Sequence, residues 1–166
     1  MRLVPASRLL LITAWVGSLW TVGYLVAPTL FLTLADRVLA GTIAGKLFRV
    51  EAWVSLVIGC ALLWMLRLGQ SRSPTRVVMF KLVAAMVACT LIGYFALQPS
   101  MAALREAAVS GVLEGTARTQ FGVLHAVASA IYLIQSVLGI MLVMKNVALN
   151  NVVLSNVAAD AAAASA

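Results

Sequence analysis

Acidic residues are scarce in this chain: Asp and Glu number 5 among 166 residues, against 12 Lys and Arg, and all charged residues together make up only 10%. Soluble domains carry roughly 25% charged residues. A chain that is 63% hydrophobic, with a mean hydropathy of +1.05, is therefore not a water-soluble globule. Histidine occurs once and cysteine twice. Cys60 and Cys89 both lie inside apolar runs, which excludes the polar, cysteine-dense disulfide framework of small secreted proteins. A single imidazole excludes bis-histidine haem within one chain. No nucleophile–base motif, phosphate loop or paired-carboxylate core is visible, so the chain reads as non-enzymatic with no resident cofactor. The net charge of +7 does not indicate nucleic acid. Its basic residues stand singly at the ends of apolar runs, with no basic stripe or reader motif.

What the chain does have is length in its apolar runs. Crossing a hydrocarbon core of about 30 Å takes roughly 20 helical residues. Four segments meet this, over about 9–31, 48–66, 77–97 and 121–144. Backbone groups in lipid must be satisfied within the segment, and period-two alternation is absent, so these are helices and not barrel strands. The expected fold is all-α: an integral membrane bundle of four transmembrane helices in one domain, residues 1–145. The run that starts near Leu9 is too long for a signal-peptide core and is expected to be a retained helix.

The connections carry their own signals. Asp36 is a good helix cap, and 38–47 contains no proline, so the second helix is expected to begin near Arg37. Gly41 and Gly45 lie one turn apart and invite close approach. Pro99 removes the hydrogen bond to the Phe95 carbonyl, so the third helix should end or kink there. A short alanine-rich surface helix over 101–109 is expected next, between helices three and four. Residues 146–166 form a low-complexity tail expected to lack structure. Arg2, Arg8, Arg67, Arg72, Arg76, Lys81 and Lys145 fall on one side, and Arg37, Lys46, Arg49, Arg105 and Arg118 on the other. From this bias both termini are expected on the cytoplasmic side of the membrane.

Several patches together resemble the transmembrane-protein-205-like family, small four-helix membrane proteins that in bacteria mostly carry a domain-of-unknown-function label. They are Ala27-Pro28-Thr29-Leu30-Phe31, the stretch Ala40 to Phe48, Gln98-Pro99-Ser100-Met101 with Arg105, and Phe121-Gly122-Val123-Leu124-His125 with Ser129. The family pattern has F-x-x-L-H, a serine one turn on, and often an asparagine about three residues later. His125 and Ser129 match it; Tyr132 stands where the asparagine would be. Eukaryotic relatives are associated with platinum-drug resistance, so the resemblance implies handling of soft metals or drugs.

His125, Ser129, Tyr132 and Ser136 follow one another at steps of four, three and four, a polar stripe that should face the protein interior or a cavity. By helix rise, about 1.5 Å per residue, His125 reaches the depth of Tyr24, Thr21, Ser55 and Cys89, with Glu51 somewhat nearer the surface. A polar pocket in the outer half of the bundle is the expectation. Glu51 is open to two readings, a counter-charge for His125 or an interfacial acid paired with Arg49 or a loop arginine. His125 is likewise open to a structural bond with a neighbouring helix or a ligand-lining role. His125 and Cys89 are donors suited to a soft metal such as copper, while Ala85, Cys89 and Gly93, with Ser55 and Gly59, read as packing notches. Two functions follow: a small solute or soft metal ion bound or passed through the pocket, or an accessory subunit packed against other membrane proteins. Beyond the bilayer, a homo-oligomer or another membrane protein is the expected partner. The orientation is testable. In a Cys60→Ala/Cys89→Ala background, Ser71→Cys should react with an impermeant thiol reagent only from the cytoplasmic face and Ala108→Cys only from outside; the reverse labelling inverts the topology.

Overall fold

The computed structural model describes residues 3–68, 73–106 and 114–164, and all of its elements are helical. Helix α1 (Leu3–Trp20) passes through a wide π-type turn (Thr21–Val26) into α2 (Ala27–Thr33). Helix α3 (Arg37–Leu68) returns, and α4 (Pro74–Leu91) leads through a second π-type turn (Ile92–Leu97) into α5 (Gln98–Glu106). Helix α6 (Gly115–Ala164) closes the bundle. Four stretches are long and apolar enough to cross a membrane: Ala6–Thr33, Arg37–Leu68, Pro74–Glu106 and Gly115–Asn151. Packing runs α1 to α3, α3 to α4, α4 to α6 and α6 back to α1. The four therefore form a closed up-down ring, in which short connections make sequence neighbours antiparallel.

Local chemistry sets the helix starts. Asp36 Oδ1 accepts from the backbone N–H of Val38 at 2.8 Å and of Leu39 at 3.1 Å, which starts α3 at Arg37 as expected. Ser73 accepts from the Arg76 N–H at 3.3 Å, with Pro74 in the first turn of α4. The prolines inside the spans act differently. Each π-type turn lies just before one of them, Pro28 or Pro99, and closes with an i→i−5 bond: Ala27 N–H to the Val22 carbonyl, and Gln98 N–H to the Gly93 carbonyl. The wide turn re-routes the backbone bonds around the missing proline donor, so neither helix breaks. The third helix accordingly continues beyond Pro99. The surface helix expected over 101–109 is instead the end of this span as far as Glu106, and residues 107–113 lie outside the described set. The segment expected to be an unstructured tail from 146 is helical through Ala164, continuous with the last span.

Call the end that carries the start of α1 and the α3–α4 connection proximal, and the other end distal. The proximal half is a dry core. Ile12, Trp15 and Val16 of α1 meet Leu62 and Leu66 of α3, Met79, Val83 and Met86 of α4, and Leu142 of α6. Without a hydrophobic driving force between helices in lipid, close van der Waals fit must hold them. Gly59 provides it: a Cβ there would come within 2.4 Å of Val87 Cγ2 and 3.3 Å of the Trp15 ring. Gly59→Leu should lower stability by about 1–3 kcal/mol through overpacking, read as a lower melting temperature in detergent. Val87→Ala in the same chain should restore part of the loss; equal losses in the single and double variants would show that this contact is not limiting.

Candidate functional site

Above the dry core the helices separate around a cavity of about 740 Å³, lined by all four spans. Its floor is a hydrogen-bonded knot. Trp15 Nε1 donates to Ser55 Oγ at 2.7 Å, and Ser55 Oγ donates to Glu51 Oε1 at 3.3 Å. Ser18 Oγ lies 3.2 Å from the same Glu51 oxygen and 3.0 Å from the Trp15 carbonyl, one proton between two acceptors. Glu51 and Ser55 are buried. Across the cavity, Gln135 Nε2 donates to Thr90 Oγ1 at 3.0 Å, and Thr90 donates in turn to the Met86 carbonyl. Side chains on four helices thus supply polar groups at one depth, each facing inward, as lipid demands.

Tyr132 forms one wall. Its hydroxyl donates to the Leu19 carbonyl in the last turn of α1, and its ring meets Phe48 edge-on at 5.4 Å and Tyr24 at 6.1 Å. The ring lies against Gly23, where a Cβ would come within 2.2 Å of Tyr132 Cε1, so only glycine fits in that wide turn. Tyr24 donates to Ser136 Oγ at 2.9 Å, which closes a second α1–α6 link. Towards the distal end stands a stack of three side chains. The Arg105 guanidinium sits 5.5 Å over the Phe121 ring, and the His125 imidazole lies parallel to that ring at 6.1 Å. Arg105 Nη1 also donates to the Gly41 carbonyl at 3.2 Å and approaches the Gly45 position, so the glycine pair on α3 receives an arginine head and not a helix.

Of the residues expected at a pocket, His125, Ser129, Tyr132, Glu51, Ser55, Tyr24 and Cys89 all line this cavity. Thr21 does not: it is exposed and outside the lining. Glu51 has neither of its expected partners. It is held by hydroxyls, and among the described residues it forms no ion pair with Arg49 or hydrogen bond with His125. His125 makes no side-chain hydrogen bond among the described residues, only the ring stack, while its carbonyl accepts from Ser129 Oγ at 2.8 Å. No group of three His, Cys, Asp or Glu side chains among the described residues is placed to hold a metal ion. Both cysteines are free, with Cys60 exposed and away from the lining. Met141 and Met144, spaced as M-x-x-M, are exposed and also outside it.

Sequence reasoning passed over Trp15, Ser18, Thr90, Gln135 and Arg105. An amide at Gln135, deep in an apolar run, was a readable signal of an inward face. The role of Trp15 was not readable, because tryptophan is as much at home at the lipid interface.

The fold and the cavity define a class: a four-helix membrane protein with a pocket inside one half of the bundle. More narrowly, the chain belongs to the family described as a domain of unknown function (DUF4149), whose model matches residues 10–110. The matched stretch contains Tyr24, Glu51, Ser55 and Cys89 but ends before His125, Ser129 and Tyr132. No curated protein and no solved structure matches the chain. The Tyr24–Ser136 link can be measured directly. A double-mutant cycle with Tyr24→Phe and Ser136→Ala should give a coupling of about 0.6 kcal/mol, the average for hydrogen bonds between membrane helices; strictly additive effects would mean the bond contributes nothing net.

Proposed function

We propose that this protein binds a small, mostly apolar solute with a polar head in the distal cavity, as a step in carrying it into or across the membrane. The cavity itself carries the reading. Its volume, about 740 Å³, lies in the range of small-molecule sites, roughly 300–1,000 Å³, which are typically apolar with a few placed polar groups. Here those groups stand at two levels. Glu51, Ser55, Thr90 and Gln135 lie deep, and Arg105 and His125 lie nearer the distal end. Apolar and aromatic side chains, among them Phe31, Phe48, Ile131 and Tyr132, fill the interval. An imidazole that makes no side-chain hydrogen bond among the described residues, with a guanidinium on the same Phe121 ring, suits a solute that presents an acceptor.

A soft metal ion such as copper is the competing cargo, since Cys89, Met101 and His125 contribute soft donors to the same lining. The resemblance to transmembrane-protein-205-like proteins supports either cargo. In this reading the protein is non-enzymatic and sits in a bacterial inner membrane with both termini cytoplasmic. An accessory subunit that packs against another membrane protein is the alternative.

Gly93 offers a clean test, because it lines the cavity and a Cβ there meets nothing within 4 Å. Full-length protein purified in mild detergent should carry a co-purifying organic molecule by mass spectrometry. Gly93→Leu should keep the fold and lose at least about nine-tenths of that molecule, since a blocked pocket excludes its ligand. Stoichiometric metal that disappears in both His125→Ala and Cys89→Ser would move the assignment to metal. Recovery of one stoichiometric membrane partner, with neither ligand nor metal, would favour the accessory role.

A further inference from the structure

The distal cavity is open on one side, and that side decides where its ligand comes from. The lining residues on α3 and on the third span are all buried or half-buried. The exposed ones are Tyr24, Pro28 and Phe31 of the first span and His125, Ser129 and Leu133 of the last. These six frame a mouth between α6 on one side and α2, with the wide turn before it, on the other. Helix packing agrees: α2 rests on α3 and α5 on α6, while no comparable interface among the described residues joins α2 to α6. From Leu133 to His125 the mouth is about 12 Å tall along the helix axis. Both rims belong to membrane-spanning stretches, Ala6–Thr33 and Gly115–Asn151, so the mouth faces hydrocarbon and not water.

We infer that the ligand is a membrane-dissolved amphiphile with one hydrocarbon chain and an anionic head, which enters sideways through this mouth; the inference rests on the cavity being a binding site, as proposed above. The apolar lining, including Phe48 and Ile131, matches the chain. Arg105 matches the head. Its Nε donates to the Met101 carbonyl at 3.3 Å and its Nη1 to the Gly41 carbonyl at 3.2 Å, while its Nη2 makes no hydrogen bond among the described residues. No carboxylate pairs with this guanidinium among those residues, and the segment 107–113 contains no Asp or Glu. A charge inside a span is costly unless paired, and an anionic head supplies the pair through charge-assisted bonds. Depth fits as well. Arg105 is one residue from the distal end of its span, at the level of the lipid heads of that leaflet. An amphiphile that enters sideways keeps its head at the distal surface and its chain towards the bilayer centre, so no charge crosses hydrocarbon. His125 stands on the head's path, at the rim of the mouth and stacked on the Phe121 ring that also carries Arg105.

The test uses the full chain in phosphatidylcholine liposomes with a trace of stearic acid that carries a photoactivatable diazirine in mid-chain. After irradiation, adducts are mapped by peptide mass spectrometry. Labelling of the cavity walls, read at Phe48 and Ile131, should be saturable, whereas labelling of the outward-facing Leu32 and Val57 should not. Palmitate or hexadecyl phosphate should compete at the walls at least about tenfold better than hexadecanol, which has the same chain and a neutral head. Competition by only one of the two identifies the head as carboxylate or phosphate. Ser129→Trp, at the mouth, should cut wall labelling by about nine-tenths and leave Leu32 and Val57 unchanged. Arg105→Gln should remove the preference for charged heads, and Arg105→Lys should keep it. Equal competition by hexadecanol, a preference that survives Arg105→Gln, or undiminished wall labelling in Ser129→Trp overturns the inference. So does labelling confined to outward faces: with a co-purifying molecule still lost in Gly93→Leu, only the lipid route fails, and without one the binding site fails too.

Discussion

The bond from the Trp15 indole to Ser55, and from Ser55 to Glu51, holds the first span against the second where the packed half of the bundle gives way to the open half. Lipid supplies no partner for any of these groups, so each must find one inside the protein. Trp15 answers two demands with one side chain. Its ring belongs to the dry core with Ile12, Leu62 and Met86, while its nitrogen faces the polar floor above. A cavity in a small bundle needs such a boundary. Otherwise the apolar walls of the upper half would close by the same van der Waals packing that closes the lower half.

The two wide turns keep the upper half open. Both precede a proline and both contain a Gly-Tyr pair, Gly23-Tyr24 in the first span and Gly93-Tyr94 in the third. All four of these residues line the cavity. Single π-type turns inside helices are frequent at functional sites; the wider turn changes which way the following residues face. In this bundle it allows the two spans to accommodate proline, keep their backbone bonds, and turn their tyrosines towards α6 or α3. Tyr24 reaches Ser136 on α6, and Tyr94 accepts from Trp53 Nε1 on α3 at 3.2 Å.

Polar groups fall at three levels along the bundle. Arg8, Arg76 and Asn146 occupy the proximal end, Glu51 and its hydroxyl donors the middle, and Arg105 with His125 the distal part. Each level draws on a different set of helices. Around Arg8, Glu51 and Arg105 the partners are neutral: amides, hydroxyls, a carbonyl and an aromatic face.

Local rules settled much of this from the sequence. Apolar length is a property of each segment alone, so four spans followed, and so did the Asp36 cap and the start of α3 at Arg37. Depth was legible only coarsely from the fixed rise per residue: His125, Tyr24, Ser55 and Cys89 line one cavity, but Ser55 stands at its floor and His125 towards its distal end. Rotation about a helix axis was not legible where no strongly polar side chain marks the inward face. In a membrane both faces of a span are apolar, so the sequence pattern does not mark the inward face, and only contacts with other helices set it. That is why Thr21 faces out against expectation, and why Glu51 bonds to serines and not to His125. The passage of the third helix through Pro99 also depended on tertiary structure. A proline marks where a backbone donor is missing, but whether the helix ends or widens around the gap is decided by what packs against it, here α6 and the Gly41 carbonyl of α3.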